Sequence, residues 1–165
     1  MSEPSALTNN FIIMSYILHT VAVVIGVSLT LGGVFQLKKH AEQRSMMSTQ
    51  HSAAGPILMI ICGGTLLILP AFIDATLLAF WGHKSPLTYD GGPTGYSAMV
   101  PPILVFVRVI GVGAFIRGIV LLSKCGSQQS QPGTLGKALV HIIAGILCVH
   151  ILGTIDLLQN IMGLT

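Results

Sequence analysis

The sequence predicts an all-α integral membrane protein with four transmembrane helices, arranged as two hairpins related by a parallel internal repeat. Three observations lead to that fold class. Hydrophobic residues make up 52% of the 165-residue chain and charged residues only 8%, with a mean hydropathy of +0.82, whereas soluble domains carry about 25% charged residues. The apolar residues fall into four long runs separated by polar stretches. Equivalent positions in the two halves also repeat the same Gly, Lys and Asp residues.

The runs span 11–37, 57–81, 103–123 and 139–162. Each meets or exceeds the ~20 residues a helix needs to cross a ~30 Å hydrocarbon core. The first exceeds that length, which predicts a tilt or an interfacial start. The opening Met1-Ser2-Glu3-Pro4 has no Lys or Arg, and the first run is too long for the h-region of a signal peptide, so it predicts a retained helix.

The intervening stretches 38–55, 82–102 and 124–137 have turn-forming compositions. The first and third share one side of the membrane and hold Lys38, Lys39, Arg44, Lys124 and Lys137. The opposite side holds Lys84 with the acidic Glu3 and Asp90. Positive charge collects on the cytoplasmic side. Both hairpin loops are therefore expected there, with the termini and the central Pro/Gly loop outside. Trp81 and Tyr89 fall near the outer boundary, where interfacial aromatics belong.

The repeat pairs residues 11–82 with 103–164 inside one membrane domain. Val24-Ile25-Gly26-Val27 returns as Val109-Ile110-Gly111-Val112; at the same offset Gly33 meets Gly118, Leu37 meets Leu122, Lys39 meets Lys124 and Gln43 meets Gln128. At an offset three residues shorter, Ile60-Ile61 meets Ile142-Ile143, Gly63 meets Gly145, and Ile73-Asp74 meets Ile155-Asp156. Duplication accounts for matches of polar and small residues in one order better than chance does.

Glycine offers the first candidate contact surface. Gly26, Gly33, Gly111 and Gly118 recur inside the runs, and in a bilayer small residues let helix backbones approach. Such faces serve packing within the chain or assembly between chains. Charge offers the second. Asp74, Asp156, Arg108 and Arg117 lie within apolar runs, where charge is costly and is normally paired or set against water. At ~1.5 Å per residue, Arg108 lies ~8 Å and the two Asp ~10 Å from the outer ends, so the three are expected to share one level. Arg117 lies nearer the cytoplasm with His141 as its candidate neighbour; snorkelling to lipid phosphate is the plainer reading. This set reads as a structural ion pair before it reads as a proton path.

The remaining candidates point to no chemistry. His19 and His150 lie in helices but do not correspond in the repeat, which argues against a haem pair. Cys62, Cys125 and Cys148 have no metal or redox spacing. No nucleophile elbow, phosphate loop or His-Glu-x-x-His occurs. Gly133-Thr134-Leu135-Gly136-Lys137 lacks the spacing of a Walker loop. The net charge of +3 forms no basic stripe, so nucleic-acid binding is not expected. The expectation is a non-enzyme without metal or cofactor, in which phospholipid is the bound molecule the plan accommodates.

The C-terminal half carries a family resemblance. Gly113-Ala114-Phe115-Ile116-Arg117-Gly118, Gln131-Pro132-Gly133-Thr134-Leu135-Gly136-Lys137 and His141-Ile142-Ile143-Ala144-Gly145-Ile146-Leu147 resemble small inner-membrane proteins of type IVB secretion. These are the IcmC/DotE, IcmD/DotP and DotV group of Dot/Icm systems, related to transfer proteins of IncI-type conjugation. Phe35-Gln36-Leu37-Lys38-Lys39-His40 and Leu67-Ile68-Leu69-Pro70 share the likeness more weakly. The resemblance implies a structural subunit of a translocation machine, in contact with membrane lipid and other subunits as a homo- or hetero-oligomer. Each hairpin is also similar in plan to conjugation pilins, which pack with phospholipid into a tube. A small ion- or proton-conducting channel using Asp74, Arg108 and Asp156 is the third reading.

Overall fold

A computed structural model describes residues 4–44, 53–82, 100–125 and 132–163. Every regular element among them is a helix: α1 (Pro4–Arg44), α2 (Ala54–Leu67), α3 (Leu69–Trp81), α4 (Val100–Cys125), α5 (Thr134–Val149) and α6 (Ile151–Ile161). Glu3, Lys84, Tyr89, Asp90 and Gln128 lie outside the described residues.

Two helices, α1 and α4, are long and apolar enough to cross a membrane, each with a mean hydropathy of 2.2 over its most apolar stretch. The count rises to four if each bent pair, α2 with α3 and α5 with α6, is one span. α1 starts at Pro4, whose missing N–H is harmless in a first turn. It runs past the expected end of its apolar run at residue 37, so Lys38 and Lys39 are helical rather than in a loop. At ~1.5 Å per residue its 41 residues extend about 60 Å, twice the thickness of a hydrocarbon core.

The second and fourth runs differ from expectation: each is two helices instead of one. α2 and α3 meet at Ile68 with a bend of 87°, and α5 and α6 at His150 with a bend of 99°. Ile68 and His150 are equivalent positions of the repeat, at the same offset that relates Gly63 to Gly145. The two breaks have different causes. In the first, Pro70 has no N–H to give the Leu66 carbonyl and its ring crowds that carbonyl. In the second, Leu152 stands where Pro70 would be, and side chains hold the break. Gly153 N–H donates to His150 Nδ1 at 3.1 Å. The Thr154 hydroxyl lies within bonding distance of the Leu147 and His150 carbonyls, at 2.9 and 3.0 Å.

The chain forms two compact units. One comprises Met1–His19, Pro70–Phe115 and Ile143–Thr165. Aromatic pairs knit it: the rings of Phe11 and Phe106 are 5.2 Å apart, and those of Phe72 and Phe115 5.6 Å. Leu77, Val109, Phe115, Val149 and His150 are buried there. The other unit comprises Thr20–Leu69 and Ile116–Ile142, with Ala22, Cys62, Leu66, Ile119 and Ala138 buried.

Candidate functional site

The glycines expected to form a contact surface form one within the chain. In the second unit α1 crosses α2 backbone to backbone. A Cβ on Gly26 would stand 2.9 Å from the Gly63 carbonyl oxygen, and one on Gly63 2.8 Å from the Gly26 oxygen and the Thr30 nitrogen. Two turns further on, Gly33 faces the Pro56 carbonyl and Ile60. α4 and α5 make the same crossing. In the first unit a Cβ on Gly111 would stand 2.8 Å from the Gly145 oxygen, and one on Gly145 2.7 Å from the Phe115 nitrogen. In the second unit Gly118 faces the Ala138 carbonyl and Ile142. Residue for residue, the partners of Gly26 and Gly33 map onto those of Gly111 and Gly118: Gly63 onto Gly145, Pro56 onto Ala138, Ile60 onto Ile142.

Real Cβ atoms essentially never approach backbone atoms within 3.0 Å. These positions therefore admit hydrogen alone, and the helices meet more closely than any side chain would allow. Gly26, Gly33, Gly111 and Gly118 are thereby committed to packing inside each hairpin. Gly64 and Gly113, also mid-helix, have nothing within 4 Å of an added Cβ.

Asp74 and Asp156 are exposed on α3 and α6, while Arg108 on α4 is half-buried. Among the described residues no ion pair joins either carboxylate to Arg108. Arg117 is exposed on α4. His141 on α5 is half-buried and serves its own helix: its Nδ1–H donates to the Lys137 carbonyl at 2.7 Å. A carbonyl only accepts, so that bond places a proton on Nδ1. Lys38, Lys39, Lys124 and Lys137 are exposed at or near helix ends. Lys38 pairs with Glu42 one turn on at 3.8 Å, and Arg44 is the last residue of α1.

The structure adds a cluster that the sequence reading did not assemble. His150, 1% exposed, caps α6 with its side chain, and its ring stacks on Trp81 with centroids 4.8 Å apart and planes 20° apart. Because Nδ1 accepts from Gly153, the neutral ring carries its proton on Nε2. Gly153 makes room for both rings: an added Cβ would lie 2.5 Å from His150 Cε1 and 2.8 Å from Trp81 Nε1. Among the described residues no three His, Cys, Asp or Glu side chains converge as a metal site would need.

No known protein family, curated protein or solved structure matches this chain.

Proposed function

We propose that the chain is a non-enzymatic structural subunit of a type IVB secretion or conjugation apparatus in a bacterial inner membrane. In this reading each bent pair carries the chain across the bilayer once, giving four crossings with the termini in the periplasm. The observation that carries it is the division of labour among helix faces. The glycines are turned inward onto their own hairpins, and long apolar side chains are turned outward. On α1 only 11% of the most apolar stretch is buried, against 33% on α4, and Tyr16, Val24 and Phe35 are 61–71% exposed. A pre-packed scaffold with a broad apolar exterior suits a part held among lipids and neighbouring membrane subunits. The resemblance of residues 109–154 to Dot/Icm membrane proteins supplies the choice of machine, and the absence of enzyme motifs from the sequence agrees with a structural role.

Extraction in mild detergent is expected to yield a complex larger than the monomer that carries further apparatus subunits. A lone monomer with no co-purifying membrane protein would count against the proposal. The pilin-like reading draws on one observation, that Lys38 and Lys39 project from the end of α1 and Lys124 from the end of α4, as residues lining a lumen would. It predicts rings or filaments on reconstitution with phospholipid, visible by electron microscopy.

A further inference from the structure

α5 and α6 together are too long for one upright crossing. α5 alone has 16 residues, about 24 Å, and a straight continuation through α6 would reach about 40 Å against a hydrocarbon core of about 30 Å. The chain turns instead through 99° at His150, and the turn is built: the His150 ring, the Thr154 hydroxyl and the close fit of Gly153 all hold it.

Beyond its first turn every residue of α6, and on to Gly163, is exposed. That exposed length is two-faced. At 100° per residue Ile151, Ile155, Leu158 and Met162 fall within one stripe about 60° wide, flanked by Ile161 on one edge and Gln159 on the other, while Asp156 and Asn160 lie on the far side beside Leu157. A helix of this kind lies flat at a membrane surface, its apolar side sunk ~5–10 Å into the headgroup boundary.

We infer that α6 lies in the plane of the bilayer interface, with Ile155, Leu158 and Met162 among the upper acyl chains, Gln159 at the edge of the stripe, and Asp156 and Asn160 in the headgroup water. The inference rests on the membrane reading above. The occupant of the apolar stripe is lipid and not a second copy of the chain, because the stripe offers only bulky Ile, Leu and Met side chains. Helix pairing in a bilayer relies on small residues, and the one glycine of α6, Gly153, already faces His150 and Trp81. The placement also accounts for Asp156, whose carboxylate is costly at a bilayer centre and rests in water at the interface.

The test uses the full chain carrying Cys62→Ala, Cys125→Ser and Cys148→Ala, in phosphatidylethanolamine–phosphatidylglycerol vesicles. Nitroxides are attached one at a time through cysteine substitutions at positions 155–162, all exposed, with Ile110→Cys on α4 as the internal reference and unchanged helix content as the entry criterion. The expected result is oxygen accessibility that peaks at 155, 158 and 162, aqueous nickel-complex accessibility that peaks at 156 and 160, and one mean depth along the helix. Depth changing by ~1.5 Å per residue would show a crossing helix and overturn the inference. So would protection from both reagents at 155, 158 and 162, which marks a protein partner or second copy, and so would nickel access at every position. In those cases a deep reading at Ile110→Cys leaves the membrane function standing; an aqueous reading there removes both.

Discussion

A methyl group added at Gly145 has nowhere to go, since it would sit within 3 Å of backbone on the facing helix. Gly145→Ala is therefore expected to lower stability by about 1–3 kcal/mol, the usual range for overpacking, measured by denaturant titration in detergent micelles. Gly113→Ala, with open space around it, is expected to shift stability by less than about 0.5 kcal/mol. Equal effects at the two positions would mean that the crossing is not this tight. The Lys38–Glu42 pair lies at the other extreme. Both side chains are about two-thirds or more exposed, and solvent-exposed pairs contribute little, so Glu42→Gln is expected to leave stability unchanged. Asp156→Asn is likewise expected to leave ion flux in liposomes unaltered, because that carboxylate stands exposed and apart from Arg108.

At the scale of helices, the hydropathy of the sequence located α4 within a few residues and α1 to within seven at each end, but read straight through the two breaks. Pro70 was a visible signal, since proline inside an apolar run ends or kinks a helix. The break at His150 had no such mark. It arises from a buried imidazole and a threonine hydroxyl that act on backbone groups only once the chain has turned, and periodicity carries no trace of that. The cap is testable. His150→Leu removes the acceptor for Gly153 N–H and is expected to cost about 1 kcal/mol, as lost N-caps do. His150→Asn, which restores an acceptor oxygen, is expected to recover part of it in the same titration. Equal losses would assign the effect to ring packing on Trp81 and not to the cap.

For the molecule as a whole, the positions of the packing glycines were legible because two copies of the pattern lay in register. Which way they faced was not: a glycine suits a contact inside the chain as well as one between chains, and only coordinates separate the two. The level shared by Asp74, Arg108 and Asp156 is an expectation from depth along straight helices, and α3 and α6, which carry the two carboxylates, each follow a sharp bend. The proposed topology places the ends of α1 and α4 on one face. An impermeant thiol reagent is expected to miss both Lys39→Cys and Lys124→Cys in right-side-out vesicles and to reach both after permeabilisation; labelling of one alone would break the parallel arrangement. The unequal chemistry of the two breaks also gives the hairpins unequal stiffness. Straightening α2 into α3 must accommodate an imino residue in a continuous helix, at about 3 kcal/mol, whereas straightening α5 into α6 forfeits the bonds of Gly153 N–H and the Thr154 hydroxyl, about 2 kcal/mol together. Under the same load from a moving neighbour the N-terminal hairpin keeps its angle and the C-terminal one yields first, so a duplicated scaffold acquires one fixed arm and one compliant arm.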